Sequence, residues 1–145
     1  MRCVIFDIDG TLANNLHRAH HLAPGKPKNW PAYDALMHLD EPVPQLVELA
    51  RILHEEYAII LCSGRKEIHR EITRTWLTRH NVAWDLLYMR QTTDFRPDAI
   101  VKSELLDQIL ASGYEPQFVV DDRNSVVEMW RKRGLVCLQV APGDF

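Results

Sequence analysis

Two kinds of hydrophobic pattern alternate along the chain. Short, nearly continuous apolar runs predict strands covered on both faces of a sheet, in the order RCVIFD, AIILCSG, WDLLYM, PQFVVDD and LVCLQV. Between them, apolar residues recur every three or four positions, which predicts helices in PQLVELARILHEEY, KEIHREITRTWLTRH, DAIVKSELLDQILASG and NSVVEMWRKRG. This alternation favours an α/β fold, a Rossmann-like parallel sheet flanked by helices.

The stretch from residue 13 to residue 42 interrupts the alternation. It has no clean period, and it contains the proline-rich PGKPKNWP and the histidine cluster HRAHH. Irregular segments of this length are usually functional. We expect residues 13–42 to form a short, cap-like insertion after the first strand, too small for a core of its own. The whole chain, residues 1–145, is then expected to be one domain.

Composition narrows the classes of protein that fit. The net charge of −3 gives no overall attraction for nucleic acid, so a polyanion has to be held by a local cluster of Arg and Lys. No apolar run reaches the roughly 18 residues of a membrane span, and the N-terminus turns acidic too early for a signal peptide. The three widely spaced cysteines lack a CxxC pair. We expect them to be reduced core thiols of a cytoplasmic protein.

Polar side chains collect where the predicted strands end. In an open α/β sheet, ligands bind outside the carboxyl ends of the strands. The strand ends carry Asp7, Asp9, Gly10 and Thr11 on the first, Ser63, Gly64 and Arg65 on the second, Arg90 on the third, and Asp121, Asp122 and Arg123 on the fourth. Lys102 lies in the first turns of the helix after the third strand. These residues are expected to share one edge of the sheet.

The types of these residues indicate phosphoryl transfer. Three or more carboxylates at one point repel each other unless a cation sits among them, and a hard cation such as Mg²⁺ suits carboxylate and carbonyl oxygens. Ser63, the turn amides around Gly64, and Lys102 are anion-binding groups. A metal beside such groups can neutralise charge in the transition state. The chain has no Walker loop, which argues against a kinase driven by a nucleoside triphosphate.

These motifs carry a resemblance to known phosphatases. FDIDGTL, SGR, Lys102 and VVDD, in that order, resemble the four motifs of the haloacid dehalogenase superfamily. Over nearly the whole chain, and most specifically in the tail DDRNSVVEMWRKRGLVCLQVAPGDF, the sequence is similar to the 3′-phosphatase domains of bacteriophage polynucleotide kinase-phosphatase. The kinase half has no counterpart in the sequence, so we expect a phosphatase that acts alone.

The resemblance implies a role for each matched residue. Asp7 attacks phosphorus and becomes an aspartyl-phosphate, and Asp9 protonates the leaving oxygen and then activates water. The implied metal ligands are Asp7, the Asp9 backbone carbonyl and Asp122, with Asp121 in a supporting place; the sequence leaves open which of the acidic pair binds directly. The resemblance implies that phosphate and substrate are bound by Thr11, Arg18, Ser63, Gly64, Arg65, Arg90, Arg96, Asp98, Lys102 and Arg123.

The predicted function is Mg²⁺-dependent removal of 3′-phosphate from DNA or RNA ends, a step in the repair of broken strands. A separate 5′-kinase or ligase is an expected functional partner, and no membrane is. Lys26, Lys28, Trp30 and Tyr33 are candidates for contact with the strand by charge and stacking. Trp30 and Tyr33 fit equally well as anchors of the loop. Arg65 and Arg90 also fit as partners that neutralise the acidic cluster, and Asp98 as a charge favourable at a helix start.

Three other functions fit parts of the sequence. A phosphatase of small metabolites, such as a nucleotidase, has the same motifs. A phospho-receiver module also gathers acids, a hydroxyl and a lysine on one sheet edge, but Asp9 supplies the acid–base group that turnover needs. A non-catalytic protein that binds 3′-phosphate ends is a third alternative. His17, His20 and His21 lie at helical spacing suited to a transition metal, although no fourth ligand is nearby.

Overall fold

The computed structural model describes residues 1–145, and its centre is a five-stranded sheet. The strands of this sheet are β1 (Arg2–Phe6), β4 (Ala58–Lys66), β5 (Leu86–Arg90), β6 (Glu115–Asp121) and β7 (Cys137–Gln139). They lie in the order β5-β4-β1-β6-β7, and every neighbouring pair is parallel. The predicted parallel α/β architecture is therefore confirmed, with the first strand in the middle of the sheet.

Helices cover both faces of the sheet. They are α2 (Pro44–Leu53), α3 (Arg70–Arg79), α4 (Asp98–Ala111) and α5 (Asn124–Lys132). Alternate residues of β1 point to opposite faces, as the twofold period of a strand requires. Cys3 and Ile5 join the core under α4 and α5, whereas Val4 and Phe6 join the core under α2 and α3. Burial on both faces explains why the strand sequences are continuously apolar.

Residues 13–42 consist mostly of short regular elements. Strands β2 (Ala13–Asn14) and β3 (Glu41–Pro42) pair antiparallel and close the segment at its base. Between them lie a 3₁₀ helix at Leu16–Leu22, the helix α1 (Trp30–Ala35) and a 3₁₀ turn at Met37–Leu39. Elements of two to seven residues are too short to show a period, so the sequence pattern predicted an irregular segment. The division into a domain with a cap stays a prediction.

The cysteines and the helices bear on two further expectations. Cys3, Cys62 and Cys137 are all buried and unpaired. Burial raises the pKa of the Cys62 thiol to about 12, which keeps it protonated and unreactive near neutral pH. None of the helices combines the length and the apolar character that a bilayer span requires.

Candidate active site

Three carboxylates meet where β1 and β6 end. Asp7 follows the last residue of β1, Asp121 is the last residue of β6, and Asp122 comes directly after it. All three side chains are buried, and one oxygen of each lies within 4.8 Å of the others. The parallel register brings these residues together, because Phe6 pairs with Val120 in the adjacent strand.

Lys102 is the one cation in contact with this cluster. Its Nζ donates to Asp7 Oδ1 at 2.8 Å and to Asp121 Oδ2 at 3.0 Å, from a buried position on α4. Thr11 Oγ1 donates to the other oxygen of Asp7 at 3.2 Å. Both oxygens of Asp7 are thus oriented by the protein. In this arrangement Thr11 donates its hydroxyl proton to Asp7, and its predicted contact with substrate stays a prediction.

The electrostatics of the cluster favour an additional cation. Burial, followed by the proximity of Asp121, raises the pKa of Asp7 well above its usual range, against the opposing effect of Lys102. Burial is also the main cause that raises the pKa of Asp122 to about 6. One ammonium group is too little positive charge for three buried carboxylates. A donor set made only of carboxylate oxygens fits a hard divalent ion such as Mg²⁺.

The two consecutive aspartates differ in how many of their oxygens are engaged. Asp121 Oδ2 accepts from Lys102 and, at 3.1 Å, from Trp130 Nε1, while its Oδ1 accepts from the Asp122 amide at 2.8 Å. No N–H group of the protein donates to the Asp122 carboxylate, whereas its backbone carbonyl accepts from Gln139. Asp122 therefore has the freer carboxylate of the pair.

Asp9 lies beside the cluster, but two arginines hold its carboxylate. Arg18 Nη2 donates to Asp9 Oδ1 at 2.6 Å, and Arg65 donates through Nη2 at 2.8 Å and through Nε to Oδ2 at 3.0 Å. Burial acts to raise the pKa of Asp9, but the two guanidinium groups outweigh it and lower this pKa well below its usual range. Asp9 is accordingly ionised in this arrangement.

Asp40 completes this ion-pair network and was missed in the sequence. Its buried carboxylate accepts from Arg18 Nε at 2.8 Å, from Arg18 Nη2 at 2.7 Å and from Arg65 Nη2 at 3.4 Å. His17 Nε2 lies 2.7 Å from Asp40 Oδ1. The sequence gives no signal for Asp40, because it stands alone in HLDEP, outside every motif. Because His17 Nε2 contacts Asp40, this nitrogen is not free for the transition-metal site considered for the histidine cluster.

Tyr33 and Trp30 have different environments. Tyr33 is only 8% exposed, Arg18 lies 4.1 Å from the centre of its ring, and its hydroxyl accepts from Asn15 at 2.8 Å. Of the two roles considered for Tyr33, strand contact and loop anchor, its burial favours the anchor, because its ring supports Arg18. Trp30 is 42% exposed and has the Lys28 ammonium 5.8 Å from its ring centre.

The irregular carboxyl end of β4, residues 63–66, turns and packs tightly against α4. Ser63 Oγ accepts from the Arg65 amide at 3.0 Å, and the Gly64 carbonyl accepts from Arg90 Nε at 2.9 Å. A β carbon on Gly64 would lie 2.5 Å from Asp98 Oδ1, so this close approach requires glycine. The turn therefore brings Asp98, at the start of α4, against the end of β4.

Asp98 organises the remaining predicted arginines. It accepts from Arg90 and, at 3.0 Å, from Arg123 Nη1. Arg96 makes its ion pairs elsewhere, with Asp94 and with Glu104 on the surface. The structure thus brings four of the predicted arginines into two networks, one around Asp9 and one around Asp98. It does not bring Arg96 to the three-carboxylate cluster, because two surface carboxylates already hold its guanidinium group.

Gly10 provides a test of how closely this site is packed. Its φ is 82°, and a β carbon there would lie 2.1 Å from Asp122 Oδ2. We expect Gly10→Ala to cost about 1–2 kcal/mol of folding free energy from backbone strain and, in addition, to displace the Asp122 carboxylate and lower activity. Thermal unfolding and phosphatase assays on the same preparation measure the two effects.

Gly113→Ala is the matched control for this test. Gly113 has a φ of 87°, but nothing lies within 4 Å of where its β carbon would be. The control should lose a similar amount of stability and keep its activity. Equal activities of the two variants would show that the space beside Asp122 is not needed.

Comparisons with known proteins agree with this geometry. Residues 1–145 match the family model described as the polynucleotide kinase PNKP phosphatase domain. A protein of Autographa californica nuclear polyhedrosis virus, provisionally named a bifunctional polynucleotide kinase/RNA ligase, is 27% identical over 133 residues, which are 90% of this chain and 18% of the viral protein.

Solved structures give the same fold. A chain of the Pnkp1/Rnl/Hen1 RNA repair complex superposes with a TM-score of 0.84 at 36% identity, covering 99% of this chain and 43% of that chain. A haloacid dehalogenase-family enzyme from Bacteroides thetaiotaomicron, solved with magnesium and inorganic phosphate, superposes with a TM-score of 0.62 at 15% identity, covering 100% of this chain and 96% of that one. The chain therefore spans less than half the length of the first two relatives and nearly all of the third.

Proposed function

The chain belongs to the polynucleotide kinase PNKP phosphatase-domain family, in the haloacid dehalogenase superfamily, and from this membership we propose that it removes 3′-phosphate from DNA or RNA ends with the help of Mg²⁺. The observation that carries the proposal is the pairing of a buried carboxylate, Asp7, with a partly buried one, Asp9. Asp7 lies among carboxylates with one lysine, and Asp9 lies beside it under two arginines. A nucleophile and a separate acid–base residue are what hydrolysis through a covalent intermediate requires.

Of the two consecutive aspartates, Asp122 is proposed as the metal ligand because its carboxylate oxygens remain free. Asp7 and Asp122 would bind the ion directly together with the Asp9 backbone carbonyl. Asp121, held by Lys102, Trp130 and the Asp122 amide, would keep its neighbours in place. When bound, the metal supplies positive charge that neutralises the acidic cluster and the phosphate oxygens.

In the first step a carboxylate oxygen of Asp7 attacks phosphorus, and the bond from phosphorus to the 3′-oxygen breaks. The leaving oxygen takes a proton from Asp9. Arg18 and Arg65 favour the ionised form of Asp9. The approaching phosphate dianion competes for these two guanidinium groups. This competition raises the pKa of Asp9, so that Asp9 can hold the proton it donates. Lys102 and Thr11 fix the rotamer of Asp7 for the attack.

In the second step Asp9, now ionised, accepts a proton from water. The water oxygen attacks phosphorus of the aspartyl-phosphate, phosphate leaves, and the Asp7 carboxylate is regenerated. The same arginines that oppose the protonated form of Asp9 favour the form needed here. The Ser63 hydroxyl, which accepts from the Arg65 amide and keeps its own proton to donate, and the Gly64 amide are proposed to bind the phosphate oxygens, with Lys102 alongside them.

The strand is proposed to reach the site over residues 13–42, where Trp30 and Lys28 offer stacking and charge. The names of the viral kinase/RNA ligase and of the RNA repair complex support a further part of the proposal. Kinase and ligase activities, in the same polypeptide or in separate proteins, would act on the same broken ends.

The proposed function predicts selective phosphate release. With Mg²⁺, the protein should release phosphate from an oligonucleotide that carries a 3′-phosphate, and not from the isomer with a 5′-phosphate. A chelator should abolish the release, and added Mg²⁺ should restore it, because the acidic cluster then regains its counter-charge. A colorimetric assay of free phosphate measures all of these reactions.

A free 3′-nucleotide serves as the companion substrate. Equal turnover of the nucleotide and the oligonucleotide would indicate a small-molecule phosphatase instead. Retention of 3′-phosphorylated strands with no release would indicate an end-binding protein, and a stable aspartyl-phosphate a phospho-receiver module.

A further inference from the structure

Phe95 is the most exposed large hydrophobic residue of the chain, at 78%. It lies in the loop of residues 91–97, which joins β5 to α4 at the carboxyl edge of the sheet. The ring belongs to neither hydrophobic core. A phenyl ring in this position gains little from folding, since burial is what stabilises such a side chain.

The backbone on both sides of Phe95 is held in place. Arg90, which is itself buried, donates from Nη1 to the carbonyl oxygen of Asp94 at 3.0 Å and to that of Arg96 at 2.6 Å. Near the start of the loop, Thr92 Oγ1 accepts from the Ile68 amide at 3.0 Å. One buried guanidinium group thus fixes the two residues that flank Phe95. A ring on a fixed loop loses little conformational freedom when it binds a partner.

A lysine accompanies this ring. Lys66 Nζ lies 5.4 Å from the centre of the Phe95 ring, and Lys66 forms no ion pair with any carboxylate of the chain. Lys66 also directly follows Arg65, whose guanidinium group holds Asp9. The lysine therefore belongs to the strand end that contributes Arg65, and the ring lies on a loop held by Arg90, which also contacts Asp98 of the second network. An uncompensated ammonium group next to an aromatic face suits a partner with both a flat ring and a negative charge.

We propose that Phe95 and Lys66 form a stacking platform for one of the last two bases of the nucleic-acid strand, with Lys66 near its backbone phosphate. This inference rests on the proposed function, because it assumes that a strand end enters the site. Stacking on phenylalanine accepts every base, so the platform favours polynucleotides over small phosphate esters without reading their sequence.

Phe95→Ala tests the platform by steady-state kinetics on two substrates. One is a 3′-phosphorylated oligonucleotide, and the other is the same strand without bases at its last two positions. Because stacking on an aromatic side chain contributes about 1–3 kcal/mol per base, we expect about a fivefold or larger rise in KM for the normal strand and little change for the abasic strand. Phe95→Tyr, which keeps the ring, should retain the wild-type KM.

A spectroscopic readout accompanies the kinetics. Strands with 2-aminopurine at the last, the second-to-last or an internal position are bound to Asp7→Asn protein, which prevents turnover. Quenching at one of the two terminal positions, lost on adding Phe95→Ala, is the expected result. Val136→Ala, which alters an exposed apolar residue before β7 at the opposite end of the sheet, is the control and should change neither KM nor quenching.

The outcomes separate this inference from the proposed function. Wild-type release from the normal strand, with equal KM changes on both substrates or none in Phe95→Ala, overturns the platform and leaves the phosphatase function intact. No release by wild-type protein from any 3′-phosphorylated strand overturns the proposed function, and the platform with it. Lys66→Gln should raise KM less at high salt than at low salt, because screening weakens its contact with phosphate.

Discussion

Asp7→Asn should lower the rate of phosphate release from a 3′-phosphorylated oligonucleotide by about 10⁴-fold or more, in keeping with the loss of a catalytic nucleophile. The amide has nearly the shape of the carboxylate, and its oxygen can still accept from Lys102 Nζ, now at 2.8 Å from Asp7 Oδ1. It cannot attack phosphorus at a useful rate. Single-turnover assays with Mg²⁺ and excess enzyme measure the chemical step without interference from product release.

The stability of this variant is the control that makes the kinetic result interpretable. The pKa of Asp7 is raised on folding, so its ionised form is disfavoured in the folded protein, and above its unfolded pKa this opposes folding. Asparagine removes this cost. In a chelator at pH 7, Asp7→Asn should therefore unfold at the same temperature as the wild type or higher, an advantage that shrinks as the pH falls from the folded pKa of Asp7 and is lost below its unfolded pKa. Activity within a hundredfold of the wild type would exclude Asp7 as the nucleophile.

The fold could be predicted because its strands carry a strong local signal. Most of β1, residues 58–62 of β4, and Val119 and Val120 of β6 are buried, so these stretches are continuously apolar and distinct from the helical stripes of α2 and α3. Parallel strands then place their carboxyl ends at one edge. The cluster of Asp7, Asp121 and Asp122 and its contact with Lys102 follow from that rule together with the motifs.

The side chains that could not be predicted depend on packing between distant segments. Whether Tyr33 faces solvent or covers Arg18 is decided by how residues 13–42 fold onto the sheet edge, and those short elements have no period to indicate it. The surface ion pair of Arg96 could not be predicted for the same reason, because its partner Glu104 lies more than one turn into α4. The exposure of Phe95 is visible only once the loop is fixed by Arg90.

No sequence pattern indicates Asp40, yet we expect its substitution to lower both the free energy of unfolding and the rate of phosphate release. Arg18 and Arg65 are buried, and in Asp40→Asn they would share a single carboxylate, that of Asp9. Removing one partner from a buried ion network costs about 3–5 kcal/mol. Urea unfolding of the wild type and the variant at the same pH measures this loss.

The effect on catalysis follows from the second contact of each arginine. Asp40 holds Arg18 through two hydrogen bonds, and both arginines touch Asp9. Without that hold we expect misplacement of the guanidinium groups and of Asp9, and about a 10²-fold loss in kcat, the usual size of the effect of a 1 Å displacement. Because Asp40 acts through Arg18 and Arg65, the loss should persist at low temperature, where the variant is fully folded.

His17→Gln is the matched control, because it alters another partner of Asp40 and leaves both arginines in contact with it. His17 is partly exposed, so we expect a change in folding free energy under about 1 kcal/mol and nearly wild-type kcat. If folded Asp40→Asn protein keeps wild-type kcat, Asp40 serves only the stability of residues 13–42. A loss of kcat in Asp40→Asn but not in His17→Gln would assign Asp40 a positioning role. Both variants alter the contact between His17 and Asp40, but only Asp40→Asn alters the contacts with the arginines.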